Sequence, residues 1–189
     1  MHALIKIVCG QACLIGCCVF YLIWWSMTYR PNIADHDGTW NAGLLLLMIV
    51  FGISGAALSI YGINVAPKTD EPQWNGMWII IGGIAMYGAL LFVTNKWLRR
   101  PVTTELFLII GWGILEFSVI NALNSSGDLS DARFLAMAIV IAIAIIVSLI
   151  LYVLYYRMES MKAFYYAMVP LITEAVSMAI LLFLVRNTA

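Results

Sequence analysis

FLAMAIVIAIAIIVSLILYVLYY, Phe134–Tyr156, runs for 23 residues without a charged side chain. A helix rises about 1.5 Å per residue, so a run of this length crosses the roughly 30 Å hydrocarbon core of a bilayer. Strands of membrane β-barrels alternate polar and apolar side chains, and this run does not. It reads as a transmembrane helix, and five more runs read the same way: Leu4–Met27, Gly43–Val65, Met77–Thr94, Thr104–Leu123 and Ala163–Val185. Trp74 and Lys96 flank the shortest of them. The expected fold is all-α, an integral membrane bundle of six transmembrane helices forming a single membrane domain over residues 1–189.

Composition agrees. The chain is 63% hydrophobic and 11% charged, with mean hydropathy +0.96. Soluble domains hold about 45–50% apolar and about 25% charged residues. Too little polar surface is available to cover a water-soluble fold, whereas a lipid-embedded one needs none. Ten basic residues balance ten acidic ones, and with no basic tract or zinc-finger spacing nucleic acid is not expected as a partner. All four cysteines (Cys9, Cys13, Cys17, Cys18) lie in the first run, so no disulfide framework is indicated. The sequence has no P-loop, Rossmann glycine pattern, HExxH or CxxC, so neither a cofactor nor a metal site is expected.

The first run invites a signal-peptide reading, because Leu14-Ile15-Gly16-Cys17 fits a permissive lipoprotein cleavage box. A cleavable hydrophobic region is short and followed by polar sequence. Here the apolar run continues through Cys18 to Trp25, so an uncleaved first span is expected. Between the runs lie turn-forming clusters such as Arg30-Pro31-Asn32, Pro67-Lys68-Thr69-Asp70-Glu71-Pro72, Arg99-Arg100-Pro101 and Asn124-Ser125-Ser126-Gly127-Asp128. Thr103, and Ser130 or Asp131, are candidate helix caps.

Lys and Arg set the expected orientation. The odd-numbered loops hold Arg30, Lys96, Arg99, Arg100, Arg157 and Lys162, and the opposite side holds Lys6, Lys68, Arg133 and Arg186. By the positive-inside rule the odd loops face the cytoplasm and both termini lie outside, with the plasma (cytoplasmic) membrane as the expected location. Aromatics including Trp24, Trp25, Tyr29, Trp40, Trp97, Tyr155, Tyr156, Tyr165 and Tyr166 gather on the odd-loop side.

Two carboxyls carry the functional expectation. Glu116 and Glu174 sit mid-run, where an acidic side chain costs roughly 2.5–3.5 kcal/mol on insertion scales and marks a functional site by default. Their helices run in the same direction, which puts the carboxyls at similar depth. If they share a site, both cannot hold an uncompensated charge, so a proton exchangeable for a cation is expected there. Trp112 lies one turn before Glu116 on the same face, and an indole beside a carboxylate suits an organic cation. Pro170, four residues before Glu174, removes the helical donor for the Tyr166 carbonyl, and such freed carbonyls line cavities in transporters. Asn121, further along the fourth span, and Gln11 in the first are candidates to complete a polar cavity. The candidate substrate or ion site is therefore Glu116, Glu174, Trp112, Tyr166, Asn121 and Gln11. The competing expectation is that each Glu is protonated and bonds a neighbouring helix.

Other constellations read as structure. Cys9, Cys13 and Cys17 follow one helix face but span about 12 Å of rise, too far to bind one soft ion together. With Gly10, Ala12 and Gly16 they form a packing face. Lys6, near a helix end, can snorkel to the headgroups. Asp35-His36-Asp37 reads as a solvated turn. Gly52-Ile53-Ser54-Gly55 resembles the serine motif of rhomboid intramembrane proteases. That resemblance implies a histidine partner in a later helix, and the chain holds only His2 and His36, so the dyad cannot form. The same residues give a small-xxx-small ridge (Gly52/Ala56, Gly55/Ser59, then Gly62) of the kind that packs membrane helices closely.

The functional expectation is a non-enzymatic, multi-pass transporter or channel for a cation or small cationic or polar solute, proton-coupled through the intramembrane glutamates. It would flex near Pro170 and the third-helix glycines Gly82, Gly83 and Gly88. In size and helix number the chain also resembles the substrate-binding components of energy-coupling-factor vitamin transporters. That resemblance implies an alternative: a non-catalytic solute-binding subunit, receptor or scaffold working with a partner membrane subunit. Lipid is the expected surroundings, and a homo-oligomer stays open.

Overall fold

All six apolar runs fold as helices: α1 (His2–Thr28), α2 (Gly38–Val65), α3 (Gly76–Lys96), α4 (Thr104–Ser125), α5 (Asp131–Leu154) and α6 (Ser160–Arg186). The structure is a computed structural model that describes residues 2–29, 38–67, 76–96, 104–154 and 158–186. Each of the six is long and apolar enough to cross a membrane, and no strand occurs among the described residues. Most helices run a few residues past the apolar run, because continuing the helix keeps backbone donors and acceptors paired where the polar headgroups begin. The run expected to end at Tyr156 is described as helix as far as Leu154; Tyr155, Tyr156 and Arg157 lie outside the described residues. So do Trp74, Trp97, Thr103, Asp35-His36-Asp37 and most of the first three loops. α1 passes unbroken through Cys17 and Cys18, and α6 continues through Pro170.

The surface is apolar. Ile53, Phe183 and Trp78 are 67%, 65% and 64% exposed. In water each such side chain would forgo about 1.5–3 kcal/mol of burial; against acyl chains it forgoes almost nothing.

Helix neighbours close a five-membered ring, α1–α2–α4–α5–α6 and back to α1, with α3 packed on α4. The hub is α4, half of whose span is buried, against 6% for α3. Adjacent helices in the ring run antiparallel except α2 and α4, which run the same way. Ala3, Ala66 and Ala122 meet at one end of the bundle, here the even end. Trp25 stacks on Phe164 at the opposite, odd end, with ring centroids 6.5 Å apart.

The tightest seam is α1–α2, and small residues make it. A Cβ on Gly10 would come within 2.8 Å of the Ser59 nitrogen and 2.9 Å of the Gly55 carbonyl oxygen. Likewise, one on Gly55 would meet the Gly10 carbonyl at 2.9 Å, and one on Gly62 the Ala3 carbonyl at 3.1 Å. The ridge expected from the sequence is thus the contact surface itself, gaining dispersion where lipid offers no hydrophobic drive. Lys6 adds to the seam, its Nζ lying 3.7 Å from the centroid of the Tyr61 ring. Gly10→Val should lower the thermal stability of detergent-purified protein by about 1–3 kcal/mol, the usual cost of overpacking. Gly82→Ala, where an added Cβ meets nothing within 4 Å, should leave it unchanged. Equal effects from both would disprove the close-packed seam.

The α4–α5 turn is built by its own chemistry. Gly127 takes a left-handed φ of 78°, which glycine adopts without steric cost. The Ser126 hydroxyl donates to Asp128 Oδ2 at 2.7 Å. The Phe134 amide donates to the Ser130 carbonyl at 2.8 Å to start α5.

The two halves of the ring differ. Toward the even end the interior is filled by Ile7, Val119, Ile120, Met137, Ile141 and Leu181, each no more than 2% exposed. Toward the odd end it opens into a cavity.

Candidate functional site

The cavity has a volume of about 550 Å³ and takes its walls from α1, α2, α4, α5 and α6. That lies within the roughly 300–1,000 Å³ of small-molecule sites. Helical periodicity delivers the α6 wall: Tyr166, Pro170, Glu174 and Met178 recur every four residues and all line the space. α1 contributes Cys17, Cys18, Tyr21 and Trp25, and α4 contributes Phe107 and Trp112. At the odd end Trp25 is fixed by its Nε1, which donates to the Phe164 carbonyl at 3.4 Å, and by the Tyr29 ring, 4.4 Å away between centroids.

Glu174 is 8% exposed and, among the described residues, is the only acidic residue in the wall, which holds no described Lys, Arg or His. Neighbouring hydroxyls bond back to the carbonyls of their own helix. The Thr173 hydroxyl donates to the Pro170 carbonyl at 2.7 Å, and the Ser177 hydroxyl donates to the Glu174 carbonyl at 2.9 Å. Pro170 has no N–H to offer the Tyr166 carbonyl, and both residues face the cavity.

Glu116 lies behind the cavity rather than in its wall, with no exposed surface. Gln11, equally buried, is the side chain that acts on the Glu116 carboxyl at hydrogen-bonding range. Yet neither closes a hydrogen bond of good geometry: both Gln11 amide atoms and both Glu116 oxygens lack a protein partner among the described residues. Glu174 is within electrostatic reach of Glu116, and Cys18 of both. The two carboxyls therefore share one interior. Glu174 is at the cavity and Glu116 is sealed next to Gln11.

More orphaned groups belong to the ring helices. Ser59 Oγ on α2, Ser148 Oγ on α5 and Trp112 Nε1 on α4 are buried without a protein hydrogen bond among the described residues. Native proteins leave few such groups, and each calls for an explanation. No family model, curated protein or solved structure matches this chain. Its site is therefore read from its own chemistry.

Of the six residues expected from the sequence, Glu174, Trp112 and Tyr166 line the cavity, while Glu116 and Gln11 form the sealed pair. Asn121 is not in the wall. It lies toward the even end of α4, where its backbone carbonyl accepts from the Ser125 hydroxyl at 2.7 Å. Sequence reasoning missed Tyr21, Trp25, Phe107 and Tyr152 as wall residues. Aromatics near span ends read equally well as interface anchors, and only the ring closure turns them inward. Ser148, the one hydroxyl other than tyrosines in Phe134–Tyr156, was a signal that could have been used. Among the described residues no group of three or more His, Cys, Asp or Glu could hold a metal ion.

Proposed function

We propose that this protein is a membrane transporter for a small organic cation, with Glu174 as the anchor for the positive charge and the sealed Glu116–Gln11 pair as the proton site coupled to it. The observation that carries the reading is the wall of the cavity, which among the described residues holds one carboxyl, no cationic residue and several aromatic side chains. A carboxylate there attracts a cation by charge, and Trp112, Trp25 and the tyrosines add cation–π attraction of about 0.5–2 kcal/mol each where water is excluded. A bare carboxylate sealed without partners costs several kcal/mol, so Glu116 favours a compensating cation, and a proton is the smallest. Binding of a solute cation beside Glu174 changes the field at Glu116, which is the physical link between solute and proton.

The open odd half and packed even half correspond to one face of an alternating-access cycle. On the positive-inside orientation that face is cytoplasmic. Pro170 supports the reading as a place where α6 lacks one backbone bond and bends at low cost. The closed even half also suits the alternative of a solute-capturing subunit that depends on a partner for release.

A thermal-shift screen of small ammonium and phosphonium cations at two pH values tests the reading, followed by uptake into proteoliposomes. Cation-specific stabilisation is expected, of about 2.7 kcal/mol at a hundred times the dissociation constant. Uptake by the protein alone identifies a transporter; binding with no uptake favours the subunit. Gly111 lines the cavity and an added Cβ there meets nothing within 4 Å. Gly111→Trp should therefore fold normally and lose the cation-induced shift. Retention of the full shift with that indole in place would locate the ligand elsewhere.

A further inference from the structure

Among the described residues, the cavity reaches the side of the bundle. Ile49 and Ile53 of α2, and Phe107 and Leu108 of α4, line it and are also 43%, 67%, 60% and 59% exposed on the outside of the bundle. These four residues mark the odd half of the α2–α4 seam, whereas near the even end the same two helices converge at Ala66 and Ala122. An opening at this depth in a transmembrane bundle faces acyl chains, not water. The wall behind it is largely apolar and aromatic, and its one acidic group among the described residues is Glu174. A hydrophilic solute would find few partners there beyond Glu174, the tyrosines and the Tyr166 carbonyl, and each hydroxyl or amide left unpaired costs about 1–3 kcal/mol. A solute already dissolved in the bilayer meets no such cost, and a delocalised or alkyl-shielded positive charge sheds little hydration on reaching the carboxylate.

Resting on the reading of the cavity as a cation site, we propose that its ligand is a lipophilic organic cation that reaches Glu174 from the bilayer through the seam between α2 and α4. Six aromatic side chains (Tyr21, Trp25, Phe107, Trp112, Tyr152, Tyr166) supply faces for its apolar groups, and the carboxyl selects the sign of its charge. Charge complementarity distinguishes this occupant from a membrane lipid, whose acyl chain would gain nothing from Glu174.

The test is equilibrium binding to the full chain in nanodiscs with three probes. Tetraphenylphosphonium is a lipophilic cation, tetramethylammonium a hydrophilic one, and triphenylphosphine oxide has the rings without net charge. Saturable binding of tetraphenylphosphonium is expected, at least about tenfold tighter than either other probe and weakened about tenfold or more in Glu174→Gln. Stopped-flow association of tetraphenylphosphonium should slow several-fold in Ile53→Trp, which narrows the seam outside the anchor; an unchanged rate overturns the lateral route. Glu174-dependent binding of tetramethylammonium as tight as that of tetraphenylphosphonium overturns the lipophilic class while leaving the cation site intact. Binding of tetraphenylphosphonium that is undiminished in Glu174→Gln, or a co-purified lipid that no cation displaces, overturns the proposal. If no probe binds the wild-type chain, the proposal and the cation site fall together.

Discussion

Glu174→Gln is expected to weaken cation binding by about tenfold to a hundredfold while leaving the fold intact. The size follows from one charge-assisted contact of about 1.5–3 kcal/mol. The substitution is nearly isosteric, and Thr173 and Ser177 hold this turn of α6 through backbone carbonyls rather than through the carboxyl, so the helix has no reason to move. Removing a carboxylate from a membrane interior also relieves an insertion cost; the variant should melt at or above the wild-type temperature in the absence of ligand. Binding isotherms and thermal melts measure the two effects separately. A variant that binds as tightly as wild type would remove Glu174 from the account, and one that unfolds would make its role structural.

Glu116→Gln should separate binding from coupling. Glu116 is sealed away from the cavity beside Gln11, so the cation keeps its anchor, and its affinity should fall less than in Glu174→Gln because the interaction weakens with distance. Uptake driven by a pH gradient in proteoliposomes should fall to background, because the group that carries the proton is gone. Counterflow exchange of labelled for unlabelled cation, which needs no proton gradient, should survive. Loss of both activities together with loss of binding would return Glu116 to the role of a helix-packing residue. Retention of gradient-driven uptake would show that the proton travels elsewhere.

The fold was legible because membrane helices are specified by length and apolarity alone. Phe134–Tyr156 needs no tertiary information to be recognised as a span, and neither do the other five runs. The α1–α2 seam was legible too, since Gly52, Gly55, Ser59 and Gly62 recur on one face and few contacts other than close helix packing use such a pattern. The site was legible only in part. Spacing along α4 and α6 placed Glu116 and Glu174 at comparable depth, but whether they share an interior depends on how each helix is rotated, which packing decides. Packing also separated them into a wall residue and a sealed one. It put Gln11 beside Glu116 and left Asn121 outside the cavity. The seam between α2 and α4 is invisible in sequence, since Ile49, Ile53, Phe107 and Leu108 look like any lipid-facing residues.

Proton exchange tests the central claim most directly. When the best-binding ammonium or phosphonium cation is added to weakly buffered, purified protein, the account predicts a saturable release of protons that tracks occupancy, because a cation at the shared carboxyl interior takes the place of a proton. At matched occupancy the release should disappear in Glu116→Gln. Cation binding without proton release, or release that is undiminished in Glu116→Gln, would contradict it.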